Sequence, residues 1–131
     1  MRRIILVAGL MCLAGCSAMR SISGPPPVYA VFFDDKSVVL DRDSRAIVDN
    51  AANEAKAHPG KYAQISGPST KAATGYDPAI AEARIHLVEQ TLIDDGIAKE
   101  RLTRVAEPVV IKAGKGDAQR VEIRIVDKPA T

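Results

Sequence analysis

The chain has 131 residues, of which 47% are hydrophobic and 26% are charged, with a formal net charge of +2. So balanced a charge excludes the dense basic surface that nucleic acids or anionic membranes select. The length suits one ordinary domain with short flanking segments.

The first fifteen residues have the form of a bacterial export signal. Arg2 and Arg3 give a positive start, and residues 4–14 form an apolar stretch of 11 residues. That stretch is shorter than the roughly 20 residues needed to span a bilayer. Residues 13–16 read Leu-Ala-Gly-Cys, which resembles the lipobox of bacterial lipoproteins.

The lipobox resemblance implies that residues 1–15 are removed and that Cys16 carries diacylglycerol and palmitate. Ser17 follows it, in place of the aspartate that signals inner-membrane retention in such lipoproteins. We therefore expect a lipid-anchored protein of the outer membrane whose domain faces the periplasm. The alternative is an ordinary secretory signal that ends near a cysteine. Loss of Arg2 and Arg3 would leave 16 Lys+Arg against 16 Asp+Glu, and loss of Cys12 would leave no disulfide partner for Cys16.

The next segments predict a tether, a strand and a helix. Residues 16–27 combine the cysteine with small polar residues and three prolines, which is typical of a solvated linker. Residues 28–33 are β-branched and aromatic and predict a buried strand. Residues 43–57 predict a helix capped by Asp41 or Asp43, and His58-Pro59-Gly60 ends it.

In the second half of the domain, a predicted strand is again followed by a predicted helix. Residues 62–66 predict a strand and residues 67–75 a loop, after which Asp77-Pro78 supplies a cap and a first-turn proline. The following helix ends at Gly96, and its predicted buried face consists of Ile80, Leu87, Val88 and Leu92.

Three short strands are predicted after that helix, over residues 102–106, 109–113 and 120–126, with a turn at residues 114–117. The last strand should turn Val121, Ile123 and Ile125 toward the helices, and Glu122 and Arg124 away from them. The order is β-α-β-α-β with one extra strand before the last. It predicts an α+β sandwich, a mixed sheet with helices on one face, over residues 28–126, followed by a tail of residues 127–131.

Several short motifs, in this order and spacing, resemble the OmpA-like C-terminal domain. The helix motif Asp77-x-x-Ile80-Ala81-x-x-Arg84 parallels the N-x-x-L-S-x-x-R-A of that family. Residues 65–67, Ile-Ser-Gly, fall where the family has I-x-G ahead of T-D. Residues 119–123 read QRVEI, which is similar to its terminal R-R-V-E-I strand. The resemblance covers about residues 28–126.

The resemblance implies non-covalent binding of peptidoglycan. In the family, a helix arginine binds a carboxylate of diaminopimelate in the stem peptide. The aspartate of the T-D loop binds the positively charged ammonium group of the same residue. Arg84 matches that arginine, whose planar fork suits bidentate carboxylate recognition. The alternative is a solvated surface arginine paired with Asp77, Glu82 or Asp95.

The family's aspartate is missing from this chain. Thr70 stands in its place, and its hydroxyl can accept from an ammonium group but carries no charge. Loss of one charge-assisted partner costs roughly 1.5–3 kcal/mol, or about 10- to 150-fold in affinity. Asp77 replaces the family's asparagine and is a candidate substitute for the acid, although we expect it to act as a helix cap.

No pattern in the sequence predicts catalysis, a metal or a cofactor. The two histidines, His58 and His86, lack metal-ligand spacing. The acidic residues after the first strand lack the glycine and closing glutamate of an EF-hand loop; they are Asp34, Asp35, Asp41 and Asp43. We therefore expect a non-enzymatic protein without cofactors.

Two functions follow as hypotheses. The first is a binding module that tethers the outer membrane to peptidoglycan. The second is a degenerate OmpA-like domain that has lost its ligand and docks onto envelope or secretion-machine proteins. Nucleic acid is not an expected partner of either.

Overall fold

Four strands and two α-helices make up the domain in a computed structural model, which describes residues 24–68, 76–105 and 117–129. In chain order they are β1 (Val28–Phe32), α1 (Arg42–Ala57), β2 (Tyr62–Ser66), α2 (Pro78–Asp94), β3 (Leu102–Arg104) and β4 (Arg120–Val126). The predicted α+β class is confirmed. The predicted strand at residues 109–113 lies outside the described residues, as do residues 69–75 of the predicted loop and 114–116 of the predicted turn.

The sheet is mixed and is built around β4. Its strand order is β1-β4-β2-β3, with β4 antiparallel to both neighbours and β2 parallel to β3. Val31 lies opposite Val121, and Ile65 lies opposite Ile123, so the inward residues of three strands meet in the core. Both helices pack against this sheet and contact each other.

The two faces of β4 are as predicted. The inward side chains of Val121, Ile123 and Ile125 are at most 3% exposed. Glu122 projects from the other face, where its carboxylate lies 3.0 Å from Arg120 and 3.3 Å from Arg124. A strand that alternates in this way must keep its register, because a slip of one residue would bury these charges.

Helix α1 begins where the sequence predicts. Asp41 is its N-cap, and the Asp41 carboxylate accepts a 2.7 Å hydrogen bond from the Ser44 amide. That bond lowers the pKa of the Asp41 carboxyl. The Ser44 hydroxyl donates to the Phe32 carbonyl at 2.6 Å, which joins the start of α1 to the end of β1.

The far end of α1 is held by an arginine from another part of the chain. Arg101 follows α2, in a short 3-10 turn, and donates to three backbone carbonyls at 2.7–2.9 Å, those of Ala55, His58 and Lys61. The last carbonyls of a helix have no partner within the helix. Arg101 therefore ties the last turn of α1, at Ala55, to its C-cap His58 and to Lys61 before β2.

Helix α2 buries a different face from the one its apolar residues predict. Val88 and Leu92 are fully buried, as expected, but Ile80 and Leu87 are only half-buried. Ala81, Arg84 and Thr91 are buried instead. Thr91 is accommodated because its hydroxyl donates to the Leu87 carbonyl at 2.7 Å.

Helix α2 ends at Asp94, and Gly96 follows its C-cap at the predicted end. The Gly96 φ of +98° is a left-handed conformation that glycine adopts without strain. None of the helices within the described residues is long and apolar enough to cross a membrane.

Truncation of Leu92 tests the packing of α2 against the sheet. Leu92→Ala should lower the free energy of unfolding by about 2–5 kcal/mol, because it leaves a cavity beneath a fully buried side chain. Val39→Ala, at a side chain that is 68% exposed, is the matched control and should change it by less than about 0.5 kcal/mol. Urea unfolding measures both variants; a cost near that of the control for Leu92→Ala would contradict the packing described here.

The carboxylate of Asp95 lies where a negative charge is unfavourable. Asp95 is the C-cap of α2, where the helix dipole repels negative charge. Its Oδ1 accepts from Arg45 of α1, but its Oδ2 is buried with no hydrogen-bond partner among the described residues. Burial raises the pKa of the Asp95 carboxyl, and the attraction of Arg45 only partly opposes that rise.

Asp95→Asn should therefore stabilise the protein at neutral pH. A carboxyl whose pKa is raised by folding contributes most stability when protonated, and that contribution is lost as the pH rises through its folded pKa. The advantage of the asparagine variant should shrink as the pH falls toward 4. Thermal unfolding between pH 4 and 7.5 measures it, with the exposed neighbour Asp94→Asn as control; a constant difference across this range would refute the prediction.

Candidate functional site

The candidate site lies at the start of α2. Asp77 is the N-cap of this helix, and its carboxylate accepts from the amides of Ala79 at 2.9 Å and Ile80 at 3.3 Å. The expectation that Asp77 caps the helix is confirmed. Both bonds end on the same oxygen, Oδ1, and the residue is exposed. Thr70 lies outside the described residues, as does Cys16.

Arg84 is buried beneath the loop that follows β1. Its side chain is only 4% exposed, and its guanidinium carbon lies 5.2 Å from the centre of the Phe33 ring. Three hydrogen bonds run from it to backbone carbonyls: Nε to Ser37 at 2.8 Å, Nη2 to Asp34 at 2.9 Å and Nη1 to Ala118 at 3.1 Å. We call this arrangement the Arg84 cage, consisting of Arg84, Phe33 and the carbonyls of Asp34, Ser37 and Ala118.

The electrostatics of the cage follow from burial. Loss of water lowers the pKa of the Arg84 guanidinium, and the Asp35 carboxylate acts in the opposite direction. Arginine starts so high that it remains charged. A buried charge must be compensated, and here carbonyl dipoles do so together with one nearby acid. The guanidinium has five N–H groups in all, so the three bonds to described carbonyls account for three of them.

Asp35 belongs to a tight turn at residues 34–37. The Ser37 amide donates to the Asp34 carbonyl at 3.0 Å, and Lys36 has a φ of +55°. A positive φ at the third residue of a hydrogen-bonded turn is the type II geometry, in which that position favours glycine. Asp35 and Lys36 are exposed. The turn therefore presents a carboxylate and an ammonium group at the surface, directly above Arg84.

The end of β2 packs closely against the same helix. A Cβ atom at Gly67 would lie 2.6 Å from Cδ1 of Ile85, the neighbour of Arg84 in α2. Cδ1 is the far end of the Ile85 side chain, which would have to shift to make room for a Cβ atom at this position. The glycine of the Ile65-Ser66-Gly67 motif thus lies directly against the side chain of Ile85.

Sequence reasoning identified Arg84 but missed its surroundings. The alternative partners proposed for a surface arginine, Asp77, Glu82 and Asp95, are not its hydrogen-bond acceptors; Glu82 pairs with Arg104 and Asp95 with Arg45. The true acceptors are backbone carbonyls. Every residue has one, so the residue types do not indicate which carbonyls accept. Asp35 appeared in the sequence analysis only among the acidic residues that follow the first strand, and Lys36 did not appear at all.

Solved structures of several bacterial envelope proteins share this architecture. The OmpA-like domain of FopA1 from Francisella tularensis superposes with a TM-score of 0.57 at 16% identity, covering 76% of this chain and 74% of that one. The C-terminal domain of Helicobacter pylori MotB gives 0.57 at 16% identity, with 76% and 84% covered. The peptidoglycan-associated lipoprotein from Burkholderia pseudomallei gives 0.52 at 21% identity, with 74% and 87% covered.

The chain has the OmpA-like fold. No protein-family model matches the sequence, and no curated protein matches it at a significant level. The OmpA-like fold is thus recognised from the sheet order, the two helices and the motif positions. At such low identity the similarity extends to the fold, while the ligand has to be argued from the site.

Proposed function

We propose that this protein is a lipid-anchored OmpA-like domain that binds peptidoglycan non-covalently and tethers the outer membrane to the cell wall. The observation that carries the proposal is the Arg84 cage. By the motif resemblance in α2, its arginine matches the family's ligand-binding arginine. The proposed activity is binding without catalysis.

The exposed charges around the cage suit the proposed ligand. Diaminopimelate carries ammonium and carboxylate groups, so its recognition needs both signs of charge close together. The buried guanidinium of Arg84 gives the site a fixed positive centre. Asp35, which acts electrostatically on Arg84, offers an exposed carboxylate, a charge that by the family resemblance is missing at Thr70. We assign Asp35 the role of ammonium acceptor.

The Arg84 and Thr70 variants test this assignment. Sacculi should retain the wild-type protein weakly and Arg84→Ala less, because the Arg84 cage is lost. Thr70→Asp should strengthen retention by about 10- to 150-fold, the value of one charge-assisted partner. Co-sedimentation with purified sacculi over a range of salt concentrations measures the affinities.

Thr70→Asn is the matched control, since it has the shape of aspartate without the charge. It should leave retention near the wild-type value, and Asp35→Asn should reduce it. Equal retention of wild type, Arg84→Ala and Thr70→Asp would exclude this site from any association with the wall.

The lipid anchor is a separate part of the proposal and rests on the lipobox resemblance at residues 13–16. Cys16→Ser should yield an unprocessed or soluble protein, because acyl chains contribute about 0.8 kcal/mol of membrane affinity per buried CH₂. Metabolic palmitate labelling and detergent-phase partitioning measure the effect. Cys12→Ser, within the same signal, is the matched control and should be labelled normally. Labelling of Cys16→Ser at the wild-type level would disprove the anchor.

A second function is favoured by the burial of Arg84. An arginine residue that is 4% exposed and whose guanidinium donates to three carbonyls is sufficiently explained by a structural role. Together with the loss of the acid at Thr70, this favours a degenerate domain that docks onto envelope proteins. It predicts no retention on sacculi by wild type or Arg84→Ala, and crosslinking to envelope proteins in living cells.

A further inference from the structure

The turn at residues 34–37 has a conformation that its sequence does not favour. Lys36 has a φ of +55°, the left-handed region, where a Cβ atom is crowded by the following carbonyl. It is the only non-glycine residue with a positive φ in the described ranges. Such a residue persists only where its surroundings determine the backbone, and it marks elements whose shape matters for function.

One side chain fixes both ends of this turn. Arg84 donates from Nη2 to the Asp34 carbonyl at 2.9 Å and from Nε to the Ser37 carbonyl at 2.8 Å. Its third bond, to the Ala118 carbonyl, ties the guanidinium to the segment that leads into β4. Since Asp34 and Ser37 also share the hydrogen bond that closes the turn, Arg84 holds the two residues whose separation defines it.

The exposed groups of the site belong to the turn. Arg84 is 4% exposed, whereas Asp35 and Lys36 are exposed. A ligand that approaches from solvent meets the turn before it meets the guanidinium. Direct contact with Arg84 would have to use the N–H groups that remain beyond its three carbonyl bonds, at a nearly closed surface.

We infer that Arg84 is a positioning residue, which holds the 34–37 turn in its strained conformation so that the turn contacts the ligand. The inference rests on the proposed function for the identity of that ligand, the charged end of a peptidoglycan stem peptide. Its structural half, the dependence of the turn on Arg84, is independent of any ligand.

A double-mutant cycle between Arg84 and Lys36 tests the inference. Lys36→Gly removes the left-handed strain, so the turn should form without the clamp. In the Lys36 background, Arg84→Ala should weaken sacculus binding by roughly tenfold; in the Lys36→Gly background it should weaken binding by at most about threefold. If Arg84 contacts the ligand itself, the loss is the same in both backgrounds, and the inference is overturned.

Amide hydrogen exchange provides the readout without ligand. The Ser37 amide closes the turn, so its protection should fall about tenfold or more in Arg84→Ala and return in the double variant. Unchanged Ser37 protection in Arg84→Ala overturns the inference directly. Arg84→Lys, which keeps the charge and the packed stem but not the fork, gives the same comparison if the alanine variant folds poorly.

Arg101→Ala is the matched control, because Arg101 also donates to three backbone carbonyls but lies at the far end of α1. It should destabilise the protein and leave Ser37 protection relative to global unfolding as in wild type. A parallel loss of Ser37 protection there would mean that the turn reports general stability, against the inference. Wild-type protein that fails to bind sacculi rejects the proposed function, while the exchange data still decide whether Arg84 positions the turn.

Discussion

The domain depends on the burial of one positive charge. Arg84 projects from α2 into the space between the loop after β1 and the segment before β4, and carbonyls from both converge on it. An unpaired charge in that space would be strongly destabilising, so the helix, the loop and the lead-in to the central strand must reach their native positions together. Packing of α2 on the sheet and assembly of the candidate site are therefore a single event.

Residues that helped to predict the fold from the sequence also have structural roles in it. Asp77 caps α2, and Gly96 follows the end of that helix in a left-handed conformation. These structural roles do not depend on the ligand of the domain. They help to explain how the OmpA-like fold is retained at 16–21% identity to its structural neighbours.

Much of the fold was predictable because its signals are local. The alternation in β4 and the caps at Asp41 and Asp77 follow from neighbouring residues in the sequence. The buried face of α2 was partly wrong, because apolar spacing favours Ile80 and Leu87, while tertiary contacts bury Ala81, Arg84 and Thr91. The surroundings of Arg84 could not be predicted at all. Its acceptors are main-chain atoms 34 to 50 residues away, and any residue type provides a carbonyl.

The same device occurs twice, since Arg101 holds the end of α1 as Arg84 holds the turn after β1. Both cysteines of the chain, Cys12 and Cys16, precede the described residues, so no disulfide crosslinks this part of the molecule. The two arginines link segments of the chain that are far apart in the sequence. Neither the donor nor the acceptor of these hydrogen bonds changes its protonation under conditions in which proteins fold. The amide oxygens stay unprotonated and the guanidinium groups stay charged. Unlike thiols, they are also indifferent to oxidants and reductants. These two fastenings, unlike the carboxylate contacts elsewhere in the domain, are therefore insensitive to the acidity and the redox state of the surroundings.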